Sequence, residues 1–383
     1  MTSRERVLAA LDHREPDRVP LDLGATHVTG ICAIALSNLR AHLGLPATEP
    51  LIVDDVQQVA LPEEDIMRRF GVDVRGLFPV TSNNINAPVV DVGESWQYTD
   101  EWGLVHHRPK DGGLYFSLVR SPIPAPETTV AAIEAHRWPI AADRARIAGL
   151  RQQAETFRAA GYPVVLKGLC AGLCEVAIRI RGMENFLVDL MLDEAVTAAL
   201  LDRILRLKLE FWDMALTGLG DVVDIVLEAD DYGTQDSQLV PPERFRSIFK
   251  PRLAELFSGI KRLAPHAKLL FHSCGSVRAI IPDLIEIGVD ILNPVHVAAA
   301  GMEPKALKKD FGAALCFWGG GVDTQGVLPH GTPQQVADDV RRNVEALAPG
   351  GGYVFNTVHN IQADVPPENL VAMYDTLAEV GGY

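Results

Sequence analysis

The chain has 383 residues, of which 48% are hydrophobic and 22% are charged, an ordinary balance for a globular protein. Its formal net charge of -15 argues against nucleic acid or an anionic membrane as the main partner, since both are polyanionic. Five cysteines, a small and odd number, favour a reducing compartment, and the N-terminus lacks the apolar core of a secretory signal. No apolar run reaches the length of a membrane span, and we expect a cytoplasmic protein.

Short apolar runs with β propensity alternate with long helical patterns, which is typical of a parallel sheet with crossover helices. The first helix begins after Thr2, which has capping-box spacing to Glu5. Eight candidate strands lie at Val19–Leu23, Val72–Leu77, Pro163–Leu169, Asp224–Ala229, Lys268–His272, Asp290–Pro294, Ala314–Trp318 and Tyr353–Thr357. Helical patterns cover Asp143–Ala160, Asp193–Leu216, Pro242–Leu263, Val277–Ile287, Pro333–Leu347 and Pro367–Val380.

Eight strands with helices between them fit a closed barrel better than an open sheet, which would usually carry a glycine-rich dinucleotide fingerprint near its first strand. We therefore predict an α/β fold, a single (β/α)8 TIM barrel over residues 1–383. Residues 82–139 are the largest irregularity, since they alternate like hairpin strands around Asp111-Gly112-Gly113. We interpret this segment as a β-hairpin insertion between strands two and three.

In such a barrel, catalytic groups come from the carboxyl ends of the strands and the loops that follow them. These ends read KGLCAGLCE, LEADDYGTQ, FHSCGS, FWGGGVDTQ and FNTVHNIQ, and they collect polar, thiol and imidazole groups. We take Asp230 and Glu228 as the catalytic candidates. The substrate-binding candidates from the same segments are Asp231, Gln235, Trp318, Gly320, Asp323 and Gln362.

The sharpest feature is His272-Ser273-Cys274 at the end of strand five. Residues two apart on an extended chain point the same way, so the imidazole and the thiol can hold one ion, and this donor pair favours zinc. The alternative is a packed cysteine beside a hydrogen-bonded histidine. A third ligand must come from another strand end, and His359 and the acidic residues after strand four are the candidates.

The other cysteines and the glycine runs have simpler interpretations. Cys316 lies early in strand seven, so we expect it in the barrel core, and we expect Cys170 and Cys174 to pack as well. Gly319-Gly320-Gly321 fits either an anion site on bare backbone amides or a tight turn. The run 350–352 precedes strand eight and fits a helix C-cap and turn.

Several of these segments together resemble a known family. HSCG after strand five, WGGGVDTQ after strand seven and HNIQADVPPENL at strand eight resemble the uroporphyrinogen decarboxylase superfamily, most closely its cobalamin-dependent methyltransferase branch. RERVLAALDHREPDRVPLDLG, DEWG and RGMENFLVDL resemble the same branch. True decarboxylases of the family carry an arginine after the first strand, where this chain has LDLGATHVTG.

The resemblance implies zinc held by a His-x-Cys pair and a later cysteine. The pair matches His272 and Cys274, whereas His359 stands at the position of the later cysteine, nine residues before Glu368. It also implies methyl transfer between a corrinoid and a thiol or other small acceptor. The cobalamin-ligating pattern Asp-x-His-x-x-Gly is absent, so a corrinoid would arrive on a separate protein or free in solution.

Two rival functions stay open at this point. One is a metal-free decarboxylase or lyase of a small carboxylated substrate, in which Asp230, Asp231 and His359 handle protons. The other is a barrel that binds a small molecule without catalysis.

Overall fold

The computed structural model describes residues 1–81 and 88–383. In these residues the helices are α1 (Ser3–Leu11), α2 (Ala33–His42), α3 (Glu64–Phe70), α4 (Val130–Ala135), α5 (Leu150–Ala159), α6 (Leu173–Arg181), α7 (Met183–Leu192), α8 (Glu194–Leu219), α9 (Pro242–Arg244), α10 (Lys250–Leu263), α11 (Ile281–Glu286), α12 (Pro304–Phe311), α13 (Val327–His330), α14 (Pro333–Leu347) and α15 (Pro367–Val380). The strands are β1 (Ile31–Cys32), β2 (Ile52–Asp54), β3 (Val59–Ala60), β4 (Arg75–Leu77), β5 (Val90–Asp91), β6 (Ser95–Thr99), β7 (Val105–Pro109), β8 (Ser117–Arg120), β9 (Val164–Lys167), β10 (Ile225–Ala229), β11 (Lys268–His272), β12 (Ile291–Asn293), β13 (Cys316–Trp318) and β14 (Tyr353–Val354).

The core of the fold is a parallel sheet of seven strands in the described residues, in the order β4-β9-β10-β11-β12-β13-β14. Each strand pairs in parallel with its neighbour in this order, which is also their order along the chain, and helices connect most of them. This confirms the predicted α/β architecture with a parallel sheet. Each of the seven observed strands lies within a segment predicted from the sequence.

The predicted first strand, Val19–Leu23, is not a regular strand and needs correction. It makes a single parallel bridge, Leu21 to Phe355. Pro20 has no N–H, so the segment cannot donate at that position and a continuous ladder cannot form. The carbonyl of Leu21 nevertheless accepts from the Asp73 N–H, and the Asp22 N–H donates to the carbonyl of Phe355. The segment therefore links the two outer edges of the seven-stranded sheet.

Side chains alternate across the parallel sheet, as the two-residue repeat of a strand requires. One set of alternate residues packs inside the curl of the sheet, where α1 also contributes side chains. The inner cluster contains Val7, Leu11, Ala25, Val28, Val74, Val165, Ile225, Leu227, Leu270, Ile291, Cys316, Trp318 and Val354. The opposite set, for example Val226 and Phe271, packs toward the helices. The prediction that Cys316 lies in the core is confirmed.

An antiparallel sheet with the order β5-β6-β7-β8 lies between β4 and β9 in the chain. Strands β7 and β8 flank the Asp111-Gly112-Gly113 turn and pair from Val105 with Arg120 to His107 with Ser117. This unit has four strands rather than the two of a hairpin. Residues 82–87 of the predicted insertion lie outside the described residues.

Proline divides two of the predicted helices. The pattern at Pro242–Leu263 becomes α9, a π-helical turn at Phe245–Phe249 and α10, because Pro251 cannot donate the regular helical hydrogen bond. The pattern at Val277–Ile287 becomes a 3-10 turn followed by α11, which has Pro282 in its first turn. The capping box from Thr2 to Glu5 is present. Within the described residues, no helix combines the length and the apolar character that a membrane span requires.

Candidate metal centre

His272 ends β11 with its side chain on the inner face of the sheet, in phase with Leu270. Its Nδ1 lies 2.5 Å from Asn293 Oδ1. The amide nitrogen of Asn293 donates to the carbonyl of Trp318 at 2.8 Å, which leaves the amide oxygen to accept from the imidazole. The proton of a neutral His272 therefore sits on Nδ1. Its Nε2 lone pair points toward Cys274, whose Sγ lies 3.4 Å away.

Cys274 is held in place by its backbone. Its N–H donates to Asp231 Oδ1 at 2.7 Å, and the same oxygen lies 3.8 Å from His272 Nε2. Burial raises the pKa of the Cys274 thiol well above its ordinary value, and the negative charges of Asp231 and Glu175 raise it further. A nearby cation would reverse this preference, because it stabilises the thiolate.

His359 lies in the loop after β14 and packs edge-on against His272, with ring centroids 5.2 Å apart. Burial lowers its pKa to about 3, and the charges of His272 and His296 contribute. Its Nδ1 accepts from the backbone N–H of Asn360 at 2.7 Å. In the neutral ring the proton consequently lies on Nε2. Coordination through Nε2 would require that proton to leave or the bond to Asn360 to break.

The three side chains predicted to hold a metal come together at the carboxyl end of the parallel strands, which we call the mouth of the sheet. One donor atom from each of His272, Cys274 and His359 lies within 4.8 Å of the others. Tetrahedral zinc, with bonds of about 2.0 Å to nitrogen and about 2.3 Å to sulfur, separates its ligand atoms by about 3.5 Å. The 3.4 Å between His272 Nε2 and Cys274 Sγ fits zinc as it stands, and His359 needs a small approach. We call these three residues the triad.

The two predicted catalytic carboxylates do not reach the triad. Glu228 faces the helices, where it accepts from Trp212 Nε1 at 2.5 Å and pairs with Lys208 at 2.8 Å, with both charges buried. Leu227 and Ala229 occupy the inner face of β10, so Glu228 must point the other way. The described contacts of Glu228 are structural, and its catalytic role stays a prediction without support from this geometry.

Asp230 is fully buried and serves the N-terminus of α6. Its two carboxylate oxygens accept from the N–H groups of Cys174, at 2.9 Å, and Glu175, at 3.0 Å. The Tyr232 hydroxyl donates to it at 2.6 Å. Burial raises the pKa of Asp230 to about 7, the charge of Glu175 raises it too, and these hydrogen bonds oppose the rise. Asp230 thus caps α6, and its catalytic role stays a prediction.

Two of the predicted substrate-binding residues, Trp318 and Gly320, are closely packed. Trp318 is 0% exposed and donates from Nε1 to Asp22 Oδ2 at 3.0 Å. Gly320 has a φ of 73°, and a Cβ at that position would lie 2.6 Å from the Cβ of Val295. Glycine is required there by a tight turn and close packing, and the role of both residues in substrate binding stays a prediction.

Three further candidates lie in hydrogen-bonded loops rather than at the triad. Exposed Gln235 donates to the carbonyl of Ala298 at 2.7 Å. Asp323 accepts from the N–H groups of the turn that follows it and lines a different cavity. Gln362 accepts from the Tyr115 hydroxyl at 2.5 Å. Of the predicted substrate-binding residues, only Asp231 contacts the triad.

Four residues near the triad were missing from the sequence prediction. Asn293 orients His272, and Glu175 is close enough to raise the pKa of Cys274. His27 has a buried Nδ1 and His296 a buried Nε2 without a hydrogen-bond partner among the described residues. His27 and His296 follow strand-end positions, and that position is the signal that could have found them.

The chain is similar to proteins of a known family. A family model described as uroporphyrinogen decarboxylase (URO-D) matches residues 109–380, more than half of the chain. The chain belongs to the uroporphyrinogen decarboxylase family. Membership of this family supports the prediction that the protein is an enzyme.

Individual relatives are more distant. A uroporphyrinogen decarboxylase from Azoarcus sp. (strain BH72) is 36% identical over 87 residues, which cover 21% of this chain and 24% of that protein. The structure of a methyltransferase from Methanosarcina mazei matches with a TM-score of 0.63 and 19% identity, covering 99% of both chains. At that identity the likeness establishes the fold. Xylanase 10B from Thermotoga maritima matches with a TM-score of 0.40 at 9% identity, covering 62% of this chain and 81% of that one, which is too low to support an argument.

Proposed function

We propose that this member of the uroporphyrinogen decarboxylase family is a zinc-dependent methyltransferase that moves a methyl group between a corrinoid and a thiol or other small acceptor. The observation that carries the proposal is the convergence of three donor atoms within 4.8 Å at the mouth of the sheet. A methyltransferase with the same fold supports it.

His272, Cys274 and His359 would hold the metal. When bound, zinc would supply the Lewis acidity that lowers the pKa of a coordinated thiol toward neutrality and would use its fourth position for the acceptor. Asn293 keeps the His272 lone pair directed at the site. Asp231 holds the Cys274 backbone and, with a side chain 37% exposed, can pass the proton of the acceptor to solvent.

The reaction itself is a displacement at carbon. The acceptor sulfur attacks the methyl carbon, a carbon–sulfur bond forms and the carbon–cobalt bond breaks, with its electron pair left on the corrinoid. The products are a methyl thioether and the reduced corrinoid, so atoms and electrons balance. Since the sequence lacks Asp-x-His-x-x-Gly, the corrinoid comes from a separate protein or from solution.

The rival decarboxylase has less support. The segment after the first strand position, LDLGATHVTG, lacks an arginine that could bind several substrate carboxylates. Of the three proton carriers that a metal-free lyase would use, Asp231 and His359 lie at the triad, but Asp230 is committed to the N-terminus of α6. Methyl transfer requires neither that arginine nor Asp230, and it uses the three metal-binding side chains of the triad.

The proposal is tested by metal analysis together with incubation of the protein with methylcobalamin and a panel of thiols. We expect about one zinc per chain, as for a single catalytic site, and thiol-dependent loss of the methylcobalamin spectrum. Replacement of His359 by Cys should keep zinc and change the rate, whereas His359→Ala should weaken zinc binding. Full zinc occupancy in His359→Ala would end its assignment as a ligand.

A further inference from the structure

A cavity of about 580 Å³ opens beside β4 and β9, and we call it the strand-end cavity. Its walls come from segments 51–56, 78–81 and 98–102, together with Lys167 at the carboxyl end of β9. These walls carry both positive and negative side chains. The use of the cavity therefore depends on which of these charges are already paired.

Lys167 is the cation of the strand-end cavity and it lacks an anionic partner. It is in phase with Val165 of the inner cluster, so its side chain points into the mouth of the sheet. Among the described residues its ammonium forms no ion pair and no hydrogen bond, and residues 82–87 carry no charged side chain. Burial makes the charged ammonium of Lys167 costly, and it therefore lowers the pKa of this residue.

The acidic residues of the cavity divide into paired and unpaired groups. Glu101 pairs with buried Arg146, and Asp100 accepts from His106 at 3.1 Å. Asp54 accepts only from the backbone N–H of Gln57, at 2.8 Å, and within the described part of the chain it has no cationic partner. It is near enough to Lys167 to oppose the lowering of that pKa, yet the two form no ion pair. Asp55 also lines the cavity without an ion pair among the described residues, and burial and the charge of Asp54 raise its pKa. Lys167 thus shares the cavity with two carboxylates, Asp54 and Asp55, and forms an ion pair with neither.

The strand-end cavity also lies within reach of the triad. Lys167 pairs with Leu227 of β10, and Ala229 of the same strand pairs with His272. Lys167 and His272 are therefore two strand spacings apart across the sheet and two residues apart along it, roughly 12 Å between their Cα positions in a flat sheet. Burial holds the pKa of His27 well below its ordinary value, and the charges of Lys167, His272 and His359 lower it further, so His27 is near both the cavity and the triad.

We infer that the strand-end cavity binds the methyl acceptor as a zwitterion, with an acidic group on Lys167 and an ammonium group on Asp54. This inference rests on the proposed function for the thiol end of the acceptor. An anion alone would leave Asp54 unpaired, and a cation alone would leave Lys167 unpaired. Charge-assisted hydrogen bonds at both ends account for both side chains with one small ligand, such as an amino acid that carries a thiol.

The binding half of the inference can be tested without metal or methyl transfer. Isothermal titration calorimetry on the whole chain, with zinc removed, would compare 2-aminobutyrate with butyrate, which lacks the ammonium, and propylamine, which lacks the carboxylate. We expect 2-aminobutyrate to bind at least about tenfold more tightly than either. Similar affinity for all three compounds would overturn the inference.

Variants then assign each end of the ligand. Lys167→Met should weaken 2-aminobutyrate about tenfold and leave propylamine unchanged, whereas Asp54→Asn should weaken 2-aminobutyrate and leave butyrate unchanged. Lys167→Arg should retain binding, and Lys309→Met, at an exposed position on α12, is the matched control. Unchanged selectivity in a folded Lys167→Met protein would overturn the assignment.

Methyl transfer to cysteine, 3-mercaptopropionate and cysteamine completes the test. Preference for cysteine that disappears in both variants supports the inference. Transfer to all three thiols at equal rates would overturn it while the proposed function stands. Absence of transfer to any thiol, with selective binding of 2-aminobutyrate intact, would instead contradict the proposed function and keep the zwitterion site.

Discussion

At the residue scale, the chemistry of the triad depends on which nitrogen of His272 carries a proton. Asn293 fixes the tautomer of His272, because its amide oxygen accepts from Nδ1 and leaves Nε2 free beside Cys274. His272 and Cys274 could be predicted from their spacing alone. Asn293 could not, because its position opposite His272 follows from the register of β11 and β12 rather than from a pattern within either strand.

The role of Asn293 can be measured through zinc affinity. Asn293→Leu should lower the affinity by ten- to a hundredfold, because His272 loses the acceptor that fixes its tautomer. Asn293→Asp keeps an oxygen opposite Nδ1 and should retain most of the affinity. Both variants lose the bond to the Trp318 carbonyl, so the difference between them reports on the tautomer. Equal zinc affinity in the two variants would disprove the role.

Cys274 provides the direct test of the metal ligands. Cys274→Ser should remove most of the zinc, since a hydroxyl is a poor substitute for a thiolate. Cys316→Ala is the matched control, because that thiol is buried on the inner face away from the triad. It should keep the zinc and lower the free energy of unfolding by roughly 1 kcal/mol. Full zinc content in Cys274→Ser would be incompatible with the account.

At the scale of the elements, β10 explains why Glu228 and Asp230 lie away from the triad. The segment LEAD reads as a polar strand end, but the two-residue alternation sends Glu228 to the helices, and the loop after the strand turns Asp230 to α6. Alternation alone, applied to Ile225 and Leu227, would have placed Glu228 correctly. The hydrogen bonds of Asp230 depend on where α6 begins, and the periodicity of β10 does not predict that position.

The buried pair of Glu228 and Lys208 predicts a loss of stability without a loss of zinc. Glu228→Gln leaves an uncompensated buried ammonium, so the free energy of unfolding should fall by roughly 3 kcal/mol. Urea denaturation measures the fall, and zinc content should stay at the wild-type level. A variant that loses zinc or turnover while its stability is unchanged would restore Glu228 to the active site.

Asp230 predicts how stability depends on pH. Its pKa is about 7 in the folded protein and near 3.9 when unfolded, so the folded state binds more protons between these values. Stability of the wild type should therefore fall as the pH rises from about 4 through 7. Asp230→Asn keeps an oxygen for only one of the two N–H groups, so it should lower stability, but it cannot titrate and should show a flatter profile in urea denaturation between pH 5 and 8. Identical profiles would show that Asp230 does not titrate there.

At the scale of the whole molecule, the triad exists because the parallel sheet curls. His272 ends β11 and His359 follows β14, three strands away, which would be roughly 14 Å in a flat sheet. Their ring centroids are 5.2 Å apart. The alternation of strands and helices was enough to predict the sheet. The segment Val19–Leu23 was predicted as a strand because the effect of Pro20 was not considered, and it forms only the bridge between Leu21 and Phe355. The curl of the sheet determines which strand end lies close enough to supply the third ligand. The sequence alone could therefore only list His359 and the acidic residues after strand four as candidates.

The central claim is that zinc at the triad enables methyl transfer from a corrinoid to a thiol. The most direct measurement is the rate of thiol-dependent methylcobalamin demethylation by the same protein as purified, after zinc removal by a chelator, and after return of one equivalent of zinc. The account predicts that chelation abolishes the rate and that zinc restores it. A metal-free protein that demethylates at the original rate, or a zinc-loaded protein inactive with every thiol tested, would contradict the account.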